Sequence, residues 1–314
     1  MNLPEKMPYQ TRSSILFVIF NRPDTTNRVF AAIRDAKPPR LYVSADAPRA
    51  GDAEDEILCR QARAIINEVD WDCEVKTLFN TRNLGCRDAV SAAITWFFAN
   101  EEEGIILEDD CLPANSFFKF CDEMLAYYRH DARVMHITGC NLQQGKKWGE
   151  DSYYFSNRVH VWGWASWRRV WEKYDKDLEK YDAGEVAEKF INIYNDELIV
   201  ESWVQIFKGV KAGQINSWAY SLDFLVFFNN GLVVIPNQNL ISNIGFGAGA
   251  THTQQEESVY ANVQLAEMNN ITHPEFILPE KRADLFIMNQ DFNVEKRRRK
   301  SKSLKGRLKR WFRS

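Results

Sequence analysis

The chain has 314 residues, 45% hydrophobic and 13% aromatic, which suits one large folded domain or two small ones and excludes a disordered polymer. The net charge of −3 hides an asymmetry: eleven Lys or Arg and no acid fall between Lys296 and Ser314, leaving 29 basic residues against 43 acidic ones, about −14, for the remainder. There is no run of 18 apolar residues, which excludes a membrane-spanning helix by hydropathy, and Met1 to Arg12 lacks the pattern of a signal peptide. A cytoplasmic location is the resulting expectation. Cys59, Cys73, Cys86, Cys111, Cys121 and Cys140 form no CxxC pair and no zinc spacing, so all six are expected to be free thiols.

Apolar runs and helical patterns alternate through the first 140 residues. Ile15 to Phe20 is a run of β-formers stopped by Asn21-Arg22-Pro23, and a helix is expected from Thr25 to Asp35. Leu41 to Ala45 and Glu74 to Phe79 read as strands, with helices over Glu54 to Val69 and Gly85 to Ala99. Gly104 to Leu107 is a short strand that runs directly into Glu108-Asp109-Asp110. Asn115 is a candidate cap for a helix reaching Arg129, and Val134 to Thr138 is a fifth strand. This alternation predicts a mostly parallel sheet flanked by helices, with ligands at the carboxyl ends of its strands. Asn21, Arg22, Asp46 and the acidic triplet all fall just past such ends.

The second half changes character. Val161 to Trp167 is an aromatic cluster, and helices are expected over Ser166 to Tyr174, Leu198 to Lys211 and Ser217 to Phe228. Leu232 to Ile235 reads as a strand ended by Pro236, and Ser242 to Thr253 is rich in glycine and polar residues.

Three adjacent carboxylates after a buried strand repel one another unless a cation is present. A hard divalent ion such as Mn2+ or Mg2+ takes oxygen ligands, can bridge the phosphates of a nucleoside diphosphate, and offsets charge on that leaving group. A solvated acidic turn is the simpler alternative.

Ile105-Ile106-Leu107-Glu108-Asp109-Asp110 resembles the DxD-type motif of GT-A-fold glycosyltransferases and is close to the Glu-Asp-Asp form of N-acetylglucosaminyltransferase I. Phe20-Asn21-Arg22-Pro23-Asp24-Thr25-Thr26, Asn83-Leu84-Gly85-Cys86, Val161 to Trp167 and Ser242 to Gly247 are similar to stretches of bacterial nucleotide-diphospho-sugar transferases. The resemblance spans roughly Ile15 to Thr253. It implies a GT-A-like, Rossmann-type α/β domain. It also implies that Asp110 is the direct metal ligand and that Asp109 and Glu108 contact the ribose or metal-bound water. Arg22 would face the nucleotide and Asp46 its base, with uracil, which offers an N–H to a carboxylate, the expected base. Relatives carry an Asp after the tryptophan that matches Trp218, and here that position is Ala219. Asp223, one helical turn on, is the candidate base for activating the acceptor hydroxyl.

Other residues carry competing readings. His252, in a loop with glycines at 245, 247 and 249, is a candidate metal or phosphate ligand, or a surface histidine. Trp162 and Trp164 are candidates for stacking on an acceptor sugar, against core packing. Arg87, in the first turn of a helix, faces either the donor phosphates or an exposed carboxylate. Leu304, Leu308, Trp311 and Phe312 share one helix face with Lys and Arg opposite, which fits an anionic membrane surface; the acidic body argues against nucleic acid.

The expected organisation is an extension over residues 1–12, a GT-A-like domain over 13–290 and a basic amphipathic tail over 291–314. Residues 13–140 would form the donor half of the domain and 141–290 the acceptor half. The expected activity is metal-dependent transfer of a sugar from a nucleoside diphosphate sugar to a hydroxyl of a glycan or lipid-linked acceptor at the inner face of the cytoplasmic membrane. A sugar-nucleotide nucleotidyltransferase is the alternative, although Asn21-Arg22-Pro23-Asp24 is not the glycine-rich basic loop such enzymes carry. A non-catalytic nucleotide- or carbohydrate-binding protein is the other.

Overall fold

The computed structural model describes residues 7–246 and 260–302. Strand β1 (Ile15–Ile19) is apolar at every position and almost wholly buried, as a strand covered on both faces must be. Helix α1 (Pro23–Ala36) starts on a proline, whose missing N–H is not needed in a first turn. Strand β2 (Arg40–Ala45) leads to α2 (Ala53–Arg63), where the Asp52 carboxylate caps the helix by accepting from the Asp55 N–H. The expected single helix to Val69 instead tightens into a 3-10 turn over Ala64–Glu68. Strand β3 (Glu74–Phe79) matches its expected bounds and carries Glu74 and Lys76 at the sheet edge. Helix α3 (Cys86–Asn100) follows Gly85, whose φ of +79° suits glycine.

Strand β4 (Glu103–Glu108) ends on the first acid of the triplet, and a short strand β5 (Cys111–Pro113) follows at once. Helix α4 (Asn115–Tyr128) is not capped by Asn115, whose side chain accepts instead from the Tyr9 N–H at 2.7 Å. The distant Glu267 carboxylate takes the free N–H groups of Asn115 (3.2 Å) and Ser116 (2.9 Å). Strand β6 (Val134–Thr138) matches its expected bounds.

The second half holds strands that periodicity did not reveal. β7 (Tyr153–Ser156) is one, and β8 (Trp164–Trp167) occupies the aromatic cluster where a helix was expected to begin. Only one helical turn, α5 (Arg168–Trp171), follows it. Helices α6 (Ala183–Lys189), α7 (Glu197–Lys211) and α8 (Ala219–Phe228) precede β9 (Leu232–Pro236) and the short β10 (Ile241–Asn243). Helices α9 (Lys281–Phe292) and α10 (Val294–Lys302) close the described chain, and the expected tail boundary at 290 falls inside α9.

The main sheet has the order β3-β2-β1-β4-β8-β6-β9-β7. Six strands run one way; β8 and β7 run the other. Because β8 lies between β4 and β6, the sheet is continuous across residue 140 and the two expected halves share it. A second core, centred on Trp203 with Phe190, Phe224 and Phe227, packs α6, α7, α8 and α9 together.

Candidate active site

β1 and β4 are adjacent parallel strands in register, with Val18 opposite Glu108. The residues leaving their carboxyl ends therefore meet. Arg22, at the cap of α1, points both terminal guanidinium nitrogens at the triplet: Nη2 lies 2.6 Å from Asp109 Oδ1 and Nη1 2.8 Å from Asp110 Oδ2. Asp109 is buried and also accepts from the Phe20 N–H at 3.1 Å. The Arg22 side chain is 27% exposed and that of Asp110 13%, so the pair sits at the floor of the edge rather than in the core.

The β5–β10 ribbon closes the site from the other side. Asn243 pairs with Cys111, and the Ile244 N–H donates to the Asp110 carbonyl at 2.8 Å. Gly245 comes so close that a Cβ there would stand 2.4 Å from Asp110 Oδ2 and 2.6 Å from Arg22 Nη1. On its other oxygen, Oδ1, Asp110 accepts from the Cys111 thiol at 3.3 Å.

Negative charge exceeds positive charge here. Burial first, and the neighbouring Asp110 and Asp109 second, push the Glu108 carboxyl well above its ordinary range. Burial also raises Asp109, against the pull of Arg22. Burial works against the Arg22 charge, yet Asp109 and Asp110 raise its pKa above the ordinary value. Burial and Glu108 push the Cys86 thiol up to about 12, and burial and Asp110 raise Cys111, so neither thiol is a ready nucleophile. Among the described residues, no three His, Cys, Asp or Glu side chains form a ready metal cage. In kind and in excess charge the carboxylates fit a hard divalent ion, whose remaining ligands a diphosphate would supply.

The other expected site residues divide into those near this edge and those engaged elsewhere. Asn21 donates to Asp55 at 2.6 Å, and Asp55 is held in turn by Arg49. Asp46 is buried, and its carboxylate accepts from the N–H groups of Ala47, Leu84 and Gly85 and from Asn80 Nδ2, all at 2.9–3.0 Å. It therefore folds the Asn80–Gly85 turn rather than presenting a free carboxylate to a base. Arg87 turns to Asp177 and the Lys176 carbonyl, which is the ion-pair alternative to phosphate contact. Trp162 is half-buried and meets Phe246 edge-on at 5.7 Å. Trp164 is a core residue, 1% exposed, stacked on His136 and Trp218.

Asp223 does not sit as an exposed proton acceptor. It is buried at 2% exposure, with both oxygens 2.5 Å from Arg158 Nη1 and one accepting from the Val159 N–H. His252 lies outside the described residues. Sequence reasoning passed over Gly245 as a contact and Asp55 as the partner of Asn21. The Ser242 to Gly247 motif did carry the signal for Gly245, but a glycine reads as freedom until the side chain it makes room for is known.

No protein-family model matches the chain, and no curated protein matches it. Among solved structures it is similar to a mannosyltransferase from Pyrobaculum calidifontis in complex with GDP-Man and Mn2+ (15% identity, 73% of each chain, TM-score 0.39). It is also similar to the inositol-1-phosphate CTP transferase from T. maritima (9% identity, 90% of this chain and 98% of that one, TM-score 0.40). A third is a UDP-glucose pyrophosphorylase complexed with UDP-glucose (11% identity, 52% and 78%, TM-score 0.32). Likenesses this distant assign no activity.

Proposed function

We propose that the chain is a metal-dependent glycosyltransferase that moves a sugar from a nucleoside diphosphate sugar, with UDP the expected carrier, to a hydroxyl of a glycan or lipid-linked acceptor. The observation that carries this reading is the convergence of Arg22 with Asp109 and Asp110 beside Glu108, at the carboxyl ends of two central parallel strands. That edge offers oxygen ligands for Mn2+ or Mg2+ and a guanidinium for a diphosphate. A bound divalent ion would supply Lewis-acid stabilisation of the departing diphosphate. In this reading Asp110 is the direct ligand, Glu108 and Asp109 bear on the ribose or on metal-bound water, and Arg22 binds phosphate oxygens. Asn21 is steadied by Asp55, Asp46 acts through the turn it folds, and Trp162 offers a ring to the acceptor sugar. Asp223, Arg87 and Trp164 act through the scaffold.

The chain passes from β1 into α1 through Asn21-Arg22-Pro23 without a glycine-rich loop, which favours glycosyl transfer over nucleotidyl transfer. The proposed setting is surface polysaccharide or lipopolysaccharide synthesis at the inner membrane face, approached through residues 296–314.

The test is a thermal-shift screen of nucleotide sugars with Mn2+ and with EDTA. A UDP-sugar should raise the melting temperature only with metal, Asp110→Ala should abolish that gain, and EDTA should stop donor turnover. An undiminished shift in Asp110→Ala would sink the metal assignment.

A further inference from the structure

Asp110 is the proposed metal ligand, yet each of its carboxylate oxygens already faces a donor. Oδ2 lies 2.8 Å from Arg22 Nη1, and Oδ1 accepts from the Cys111 thiol at 3.3 Å. Gly245 adds backbone against the same contact, in the space where any side chain would collide with both Oδ2 and the guanidinium. A cation and Arg22 therefore compete for one oxygen.

The second guanidinium contact settles which of the two carboxylates Arg22 can leave. Asp109 is 3% exposed in its side chain and further fixed by the Phe20 N–H, whereas Asp110 is 13% exposed and lies toward solvent with Arg22, which is 27% exposed. The charge count points the same way. Three carboxylates face one guanidinium, so a cation is wanted, but the Asp110 oxygen it would take already faces Arg22. A diphosphate is the one expected ligand that offers the guanidinium an equal partner, because Arg binds phosphate and carboxylate through the same fork of donors.

We propose that Arg22 is a resident counter-ion that keeps a divalent cation off Asp110 until a diphosphate draws the guanidinium away, so that metal and nucleotide bind strongly only together. This rests on the reading of the site given above. Coupling of this kind is reciprocal: the factor by which nucleotide strengthens metal binding is the factor by which metal strengthens nucleotide binding.

The experiment is calorimetric titration of Mn2+ into the full chain, with and without saturating UDP, for wild type, Arg22→Gln and Gly245→Ala. In wild type, UDP should strengthen Mn2+ binding by roughly 5- to 100-fold, the usual span of such coupling. Arg22→Gln removes the charge, so Mn2+ alone should bind about tenfold or more tightly than to wild type, with a smaller gain from UDP. Gly245→Ala keeps the charge but forces the Arg22–Asp110 contact apart, so it should move nucleotide-free Mn2+ binding in the same direction. It also serves if Arg22→Gln does not fold by circular dichroism. Unchanged or weaker nucleotide-free Mn2+ binding in the folded variants, with UDP-dependent Mn2+ binding intact in wild type, would overturn the counter-ion role and leave the metal reading standing. No Mn2+ binding by any protein, with or without UDP, would remove both.

Discussion

At the scale of single residues, the polar groups beneath α8 illustrate how burial changes what a side chain can do. Asp223 is pushed up to about 6 by burial, even with Arg158 against it, and Arg158 meets Asp291 as well, at 3.7 Å. Removing one partner of such a pair leaves the other charged and buried, which typically costs about 3–5 kcal/mol. Asp223→Ala should therefore lose stability of that order in urea unfolding. Full stability with abolished turnover would instead mark Asp223 as the catalytic base. His136 makes a second case. It is fully buried, its Nε2 donates to the His160 carbonyl at 2.9 Å, and burial lowers its pKa to about 4. A histidine held neutral when folded but free to protonate near 6.5 when unfolded contributes stability that is present above about 6.5 and lost as pH falls toward 4. That amounts to about 2 kcal/mol between pH 7 and pH 5. His136→Gln keeps a donor but not the titration, so its stability should fall less over that interval; an unchanged pH slope would show that His136 is not the group responsible.

Elements were legible in the sequence where one strand or helix kept one period. β3 and β6 keep their expected bounds, and β1, β2, β4 and α7 shift by one or two residues. The misses have physical causes. Trp164 to Trp167 is apolar at three positions of four and buried on both faces, so it shows no alternation to separate strand from helix. β5 and β10 are three residues each and exist through each other, which no local signal reports. In the site, the meeting of Arg22 with the acidic triplet was legible, because β1 and β4 are adjacent parallel strands. Other pairings were not, since Asp46, Arg87 and Asp223 find partners 34 to 90 residues away. Gly163 joins the two scales. It stands before β8 at φ +60°, and a Cβ there would lie 2.3 Å from Ile241 Cδ1. Gly163→Ala combines left-handed strain with overpacking, about 2–4 kcal/mol together. Its melting temperature should drop accordingly, and wild-type stability would refute this close approach.

Over the whole molecule, the asymmetry of charge becomes partly structural. Arg297 in α10 donates to the Ser202 hydroxyl and pairs with Glu201 at 2.7 Å, and Arg298 pairs with Asp196, so the start of the basic run is bound to α7. The proposed membrane contact is left to the rest of the run, of which residues 303–314 lie outside the described structure. Among the described residues, no helix is long and apolar enough to cross a membrane. Deleting 303–314 should abolish co-sedimentation with vesicles of anionic lipid while leaving the melting temperature unchanged. Binding by the full chain should weaken as salt rises. Equal sedimentation of both proteins would end the membrane proposal.

The place of β8 between β4 and β6 has a consequence in time. Ile105 and Ile106 must find Ala165 and Trp164, some 60 residues later, before the centre of the sheet exists. Until the ribosome has delivered Trp167, the growing chain carries β4 as an open, apolar edge able to pair with any other strand. The first 140 residues therefore do not complete their own sheet, and the interval over which β4 stays uncovered is set by the time taken to make the next 60 or so residues.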